Sequence, residues 1–275
     1  MNLFKLLLMK SAKSITSLLY KSKAGRFYMQ HVVESIMYQQ NMVKHKDVNL
    51  FFSTPNWLNY YRAQTFSTKE PETLEWIEQI PENSIVWDIG ANVGLYSIYA
   101  AKARNCRVYS FEPSVFNLEL LARNIFLNKL QHRITIIPVA LSDQLSENLF
   151  RMSSIQWGGA LSTFGENIDQ NGNQFKELFE YKTIGLTMKQ AMSLLSIPSP
   201  NYIKMDVDGI EHLILQGGYD VIKDVDGVLV EINDEFTQQS VESAKFLKEA
   251  GLSLFKKCFD GVESGSKQYN QWWKR

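Results

Sequence analysis

The chain has 275 residues, of which 45% are hydrophobic and 12% aromatic, and its 29 basic side chains balance 29 acidic ones. That composition excludes an intrinsically disordered polymer and a globally basic nucleic-acid binder, and the length suffices for one substantial core with an appendage. Two distant cysteines, Cys106 and Cys258, match no metal-ligand or redox spacing, which excludes a disulfide scaffold and makes a cytoplasmic location the expectation.

The charge balance hides an asymmetry at the N-terminus. Lys5, Lys10, Lys13, Lys21, Lys23 and Arg26 meet no acid before Glu34, leaving the rest mildly acidic. Lysines interrupt "LFKLLLMKSAKSITSLLY" too often for a membrane span, and it lacks a signal peptide's small-residue cleavage end. It reads as an amphipathic helix, with Phe4, Leu8, Ile15 and Leu18 or Leu19 on one side and Lys5, Lys10, Lys13 and Ser17 elsewhere. Such a helix either packs on the main domain or docks peripherally on the inner face of a membrane through residues 1–25. Residues 27–80 read as helices around a short strand, "VNLFF". The expected division is therefore residues 1–69 as basic helix and helical cap, and 70–275 as the main domain. Arg62, in "NYYRAQTF", has two readings: contact with an acceptor molecule, or a salt bridge to Glu70.

From residue 84 onward, short apolar strings alternate with helical patterns. "SIVWDI", "RVYSFE", "ITIIPVA", "YIKMD" and "GVLVEI" are near-continuous apolar runs, as expected of parallel strands buried on both faces. Between them, Ser114 is placed to cap a helix carrying Leu118, Leu121 and Ile125, with Asn128 as a left-handed stop. Thr187 and Gln190 have capping-box spacing, and Ile210, Leu213 and Ile214 mark a helix that ends at Gly217-Gly218. "LSLFKKCF" and "QYNQWWKR" read as two late strands following a helix over residues 240–250. The alternation is that of a doubly wound α/β sheet. Residues 144–185, rich in Gly, Asn and Ser, are too long for an ordinary connection and read as a loop over the active site or an irregular surface excursion.

In such sheets ligands bind at strand carboxyl ends, which directs attention to "VWDIGANVGLYS". A P-loop would need Lys and Ser/Thr where Leu95 and Tyr96 stand, and the glycines Gly90 and Gly94 do not make a dinucleotide G-x-G-x-x-G. Asp88 would also repel a pyrophosphate. S-adenosylmethionine removes that conflict, because it is cationic, lacks phosphate and needs close backbone approach. Glu112, at the tip of the next strand, is placed to accept both ribose hydroxyls.

The blocks "VWDIGANVGLYSIYAA", "VYSFEPSVFNLELLARNIFLN", "IIPVALSD" and "YIKMDVDGIEHLILQGG" resemble, in order and spacing, those of the FkbM family of S-adenosylmethionine-dependent methyltransferases, over roughly residues 70–260. The resemblance implies a class I, Rossmann-like, mostly parallel sheet of seven strands. It carries cofactor contacts onto Asp88, Gly90, Asn92, Gly94 and Glu112, and places Asp143 near the adenine edge. It also implies O-methylation of a sugar, surface glycan or related hydroxylated metabolite. The family's Asp-x-Glu-Gly block departs here, with Asp208 replacing the glutamate.

O-Methylation requires an aligned acceptor oxygen and a base for its proton. The fourth strand's tip offers Asp206 first, then Glu211 and Asp208, with His212 as a further candidate and Lys204 on the face of Asp206. The fifth adds Glu231 and Asn233. Carboxylates with an amide oxygen suit Mg²⁺ as an optional cofactor, although no local motif specifies metal ligands. Trp157, Gly158 and Gly159 are the acceptor-site candidates, through stacking of the indole on a sugar ring, the other reading of Trp157 being an anchor for its loop. Two alternatives remain: a non-catalytic S-adenosylmethionine-binding scaffold in glycan assembly, and methylation of nitrogen. The acidic body and the missing Asn/Asp-Pro-Pro-Tyr signature argue against a nucleic-acid acceptor.

Overall fold

The computed structural model describes residues 3–259 and 267–275. Two helices, α1 (Leu3–Leu19) and α2 (Lys23–Met37), lead into a hairpin of β1 (Gln40–His45) and β2 (Val48–Ser53). Next come α3 (Trp57–Gln64), the single turn α4 (Phe66–Lys69) and α5 (Pro71–Gln79), which opens with proline at its first helical position. The hairpin corrects the expectation of helices around one strand. "VNLFF" does form β2, but its partner "QNMVKH" alternates half-buried with exposed residues and carries little apolar signal.

The body alternates β3 (Ile85–Ile89), α6 (Leu95–Ala103), β4 (Arg107–Phe111), α7 (Val115–Leu127) and β5 (Ile134–Ile137). A second, smaller sheet follows, from β6 (Ala140–Leu141), β7 (Ser146–Met152), β8 (Ser162–Phe164) and β9 (Phe179–Leu186). The alternation then resumes with α8 (Met188–Leu195), β10 (Tyr202–Met205), α9 (Glu211–Ile222), β11 (Gly227–Asn233) and α10 (Thr237–Glu249), and closes with β12 (Ser253–Cys258) and β13 (Gln268–Lys274). The main sheet has seven strands in the order β12-β13-β11-β10-β3-β4-β5. Neighbours run parallel from β5 to β11, whereas β13 is antiparallel to both β11 and β12. This is the class I, Rossmann-like arrangement, and chain order reverses between β3 and β10.

Apolar runs become central strands because both faces are covered. Trp87, Ile89, Phe111, Ile203 and Met205 belong to one core, while Val86, Val108 and Leu229 belong to the core on the opposite face. The latter also takes in Leu50, Phe52, Ala63 and Phe66, so the hairpin and α3–α4 are built onto the sheet. Amide side chains of α7 complete the docking. Asn128 accepts from the Phe51 N–H and donates to its carbonyl, and Asn124 accepts from the Ser53 N–H. Asn128 is therefore a clamp rather than the left-handed stop; Lys129 takes that conformation, at φ 57°.

Other differences have physical causes. Pro138 interrupts "ITIIPVA", so its last residues leave the main sheet as β6 and pair with β9. The presumed loop 144–185 contains three strands, whose period-2 pattern is diluted by the glycines and polar turns between them. Gly217-Gly218 does not end α9, which continues to Ile222; a Cβ at Gly217 would stand 2.4 Å from the Ser142 carbonyl oxygen and one at Gly218 would stand 2.5 Å from Met188 Sδ. Those glycines serve close packing. Ser114 begins α7 without a side-chain cap, but the Thr187–Gln190 capping box forms. Cys106 and Cys258 are both buried, and among the described residues no helix is long and apolar enough to cross a membrane.

Candidate active site

The tips of β3, β4, β10 and β11 surround two adjoining cavities at the switch point. The first, about 350 Å³, is polar and is walled by Asp206, Asp208, Glu231 and Lys204 on the sheet side and by Arg62, Lys69 and Glu70 on the N-terminal side. The second lies between Phe111, Val139, Leu141, Phe164, Ile210 and Glu112, so it is largely apolar with one buried acid. Gly90, Asn92, Ala160, Asp206 and Asp208 line both.

The glycine turn makes this junction possible. Gly90 has φ 79°, and a Cβ there would lie 1.8 Å from the Asp206 carbonyl oxygen, so the tips of β3 and β10 are closer than any side chain permits. Gly94 starts α6, also at positive φ, and packs on Leu121 instead of facing either cavity. Asn92 donates its side-chain amide to the Gly159 carbonyl, while its own N–H donates to Glu112.

Glu112 is buried and accepts from the N–H groups of Asn92 at 2.7 Å and Ser114 at 2.8 Å. Burial pushes its carboxyl up to about 7, against the lowering effect of those two donors. Raised above the unfolded value near 4.5, this group contributes stability to the unliganded fold that is fully present below pH 4.5 and lost as pH rises through about 7. A cationic ligand has the opposite dependence, since it favours the ionised carboxylate. Affinity for S-adenosylmethionine, the expected ligand, is therefore predicted to weaken as much as about tenfold between pH 8 and pH 6, with Glu112→Gln removing most of that slope in calorimetric titrations.

Asp88 does not reach either cavity. Its carboxylate accepts from the Ser97 hydroxyl at 2.6 Å and lies 3.7 Å from Lys204 Nζ, directly across the β3–β10 register. It braces the buried lysine. Lys204 stands 3.4 Å from Asp206 and 5.3 Å from the Tyr96 ring centroid, and the charges of Asp206 and Asp88 hold it protonated in spite of its burial. Asp143 is displaced too: its backbone packs under Gly217, and β5–β6 present Val139, Ala140 and Leu141 to the cavity in its place. This wall of the cavity is apolar and carries no carboxylate.

Asp206, Asp208 and Glu231 converge, with oxygens within 4.8 Å of one another. Burial and the neighbouring Asp206 charge push Asp208 up to about 6, while its Oδ2 accepts from the Leu161 and Ser162 N–H groups. Burial, with the charges of Asp206 and Asp208, holds Glu231 well above the usual carboxylate range. Glu211 is not part of this group. It is fully buried behind the turn and accepts from the N–H groups of Val207 and Gly209 and from Gln239, which makes it a positioning residue for Asp206–Asp208. His212 is buried beside Phe236, away from both cavities. Asn233 does not join the acids either, because its oxygen accepts from the Glu235 N–H. Lys204 supplies one positive charge against Asp88 and the three acids of the cluster, and the three carboxylates are close enough together to hold the optional Mg²⁺.

Residues 156–162 form a strap across the junction. Asn56 and Asn59 donate to the Trp157 carbonyl, Arg62 to that of Gly158, and Asn92 and Asn117 to that of Gly159. Trp157 is half-buried, its ring lines neither cavity, and its carbonyl is held by Asn56 and Asn59. Arg62 makes no ion pair with Glu70, which pairs with Lys69. The clamping amides escaped sequence reasoning because their partners lie 40 to 100 residues away.

A sequence profile described as the Methyltransferase FkbM domain matches residues 88–254. The chain belongs to the FkbM methyltransferase family. Hexuronic acid methyltransferase AglP of Haloferax volcanii is 28% identical over 181 residues, covering 64% of this FkbM-family chain and 66% of AglP, slightly under two thirds of that protein. Methyltransferase sdnD of Sordaria araneosa is 33% identical over 67 residues, 24% of this chain and 26% of that protein. Among solved structures, methyltransferase FkbM from Methylobacillus flagellatus superposes with a TM-score of 0.45 at 14% identity, covering 72% of this chain and 44% of that one.

Proposed function

We propose that this chain is an S-adenosylmethionine-dependent methyltransferase that methylates a hydroxyl of a sugar or glycan. The observation that carries the reading is the junction itself: a largely apolar cavity with Glu112 buried in its wall adjoins, at Gly90, Asn92, Asp206 and Asp208, a larger cavity walled by charged side chains. The adenosyl group is assigned to the former, whose volume of about 70 Å³ requires the 156–162 strap to shift to admit it, with its ribose hydroxyls at Glu112 and the sulfonium beside Asp206 and Asp208. The donor supplies the electrophilic methyl group.

The acceptor hydroxyl approaches through the polar cavity in line with the carbon–sulfur bond, and Asp206 takes its proton. Asp206 is preferred because it is partly exposed where the two cavities meet, whereas Asp208 is tied to the strap and Glu231 accepts from Gln268 and, buried among like charges, is held above the usual carboxylate range. Lys204 and Asp88 hold Asp206 in place.

A sugar acceptor is supported by the surroundings as well as by AglP. The polar cavity meets a cleft of about 430 Å³ at Leu161, Gln170 and Asp208, and Gln170, Asn171, Asn173 and Gln174 line that cleft. Amides both donate and accept, which suits a hydroxyl-rich chain. Arg62, whose Nε is buried without a partner, stands on the opposite wall. The test is formation of S-adenosylhomocysteine with a panel of neutral and uronic oligosaccharides. Turnover on a saccharide is expected; turnover confined to amines would overturn the O-methylation reading.

A further inference from the structure

We propose that α1 is a docking helix for an anionic phospholipid surface, holding the enzyme against a membrane. The helix is made, and much of its apolar face is exposed. None of its residues is buried, and Leu7, Leu8, Ile15 and Leu18 are 53–68% exposed along one side. Helical spacing puts Lys5, Lys10 and Lys13 outside that apolar arc. Together with Lys21, Lys23 and Arg26 they form a basic segment without a single acid before Glu34, and this charge complementarity selects an anionic surface as the occupant.

The corner below α1 is built rather than frayed. Ser22 caps α2 by accepting from the Gly25 N–H, and Gly25 lies so close to α1 that a Cβ would stand 1.9 Å from the Leu19 carbonyl oxygen. Arg26 donates to the Tyr20 carbonyl across the same corner. Phe27 and Tyr28, both exposed just past it, supply rings of the kind that settle at headgroup depth. At 17 residues with interspersed lysines, α1 lies in the interface plane and does not cross.

The test is co-flotation of the full chain with vesicles of pure phosphatidylcholine and of equimolar phosphatidylcholine and phosphatidylglycerol. Binding to the anionic vesicles alone, reversed by high salt, is the expected result. Lys10→Glu with Lys13→Glu should weaken it at least about thirtyfold, at roughly fivefold for each lysine removed. Leu7→Ser with Leu18→Ser should abolish it while leaving the melting temperature and S-adenosylhomocysteine affinity unchanged. Failure to float with anionic vesicles overturns the proposal, as does equal binding to neutral ones. Concentration-dependent dimerisation lost in the Leu7→Ser, Leu18→Ser variant, without vesicle binding, would assign the face to a second copy of the chain and also overturn it. Each outcome is independent of whether the enzyme methylates sugars.

Discussion

Asp206→Asn is expected to lower kcat by about 10²- to 10⁴-fold, the range for loss of a positioned general base, while S-adenosylhomocysteine affinity stays within about tenfold of wild type. The split follows from geometry. Asp206 lines the junction shared by both cavities, where the proposed mechanism has it take the acceptor proton, whereas the substitution leaves Gly90, Asn92 and Glu112, the proposed adenosyl contacts, unchanged. Single-turnover kinetics with saturating donor isolate the chemical step. Asp208→Asn makes the informative contrast, because that carboxylate is bound to Leu161 and Ser162 and its loss loosens the strap, raising KM more than it lowers kcat. If Asp206→Asn kept more than a tenth of wild-type kcat, the base would have to be sought at Asp208 or Glu231.

Gly90→Ala is expected to be the most damaging single methyl group in the chain. Its φ of 79° is costly for alanine, and the added Cβ would lie 1.8 Å from a backbone oxygen that cannot rotate away. Relief requires the β3 and β10 tips to part, at the expense of the hydrogen bond from the Asp206 N–H to the Ile89 carbonyl. Strain and overpacking together cost about 3 kcal/mol, which lowers the melting temperature of a chain this size by roughly 6–12 °C. Parting the tips also displaces the floor under the ligand, so affinity for S-adenosylhomocysteine should fall more than about a hundredfold. Gly94→Ala makes the contrast: at φ 81° it carries the same backbone strain, but the atom its Cβ would overlap, at 2.3 Å, is the Cδ1 of Leu121, a side-chain end that can turn, instead of a backbone oxygen. Equal effects at the two glycines, measured by calorimetry and thermal melts, would refute the tight-seam argument.

The central sheet was legible because its strands carry their own signal. A strand covered on both faces must be apolar throughout, and the acids and glycines at its tips then stand out, as Gly90, Glu112 and Asp206 do. The second sheet was not legible for the converse reason: β7 and β9 are half-covered, so their residues mix exposed with buried positions, and Pro138 moves Ala140 out of a run that reads as one strand. Asp88 shows a different limit. Its place in the turn motif suggests a ligand contact, but the direction of its side chain depends on a lysine 116 residues later, directly across the sheet. Gly217 and Gly218 read as a helix stop because sequence cannot distinguish a glycine that bends a chain from one that admits a neighbour. The strap's anchors, Asn59, Arg62 and Asn117, join segments that meet only after folding.

The central claim is that the pocket at the β3–β10 seam receives a phosphate-free, positively charged nucleoside. Parallel calorimetric titrations of the full chain with S-adenosylmethionine and with NAD⁺ address it most directly. Saturable binding of S-adenosylmethionine, lost in Glu112→Ala, with no heat from NAD⁺, is the predicted outcome. Saturable NAD⁺ binding without a response to S-adenosylmethionine would contradict it.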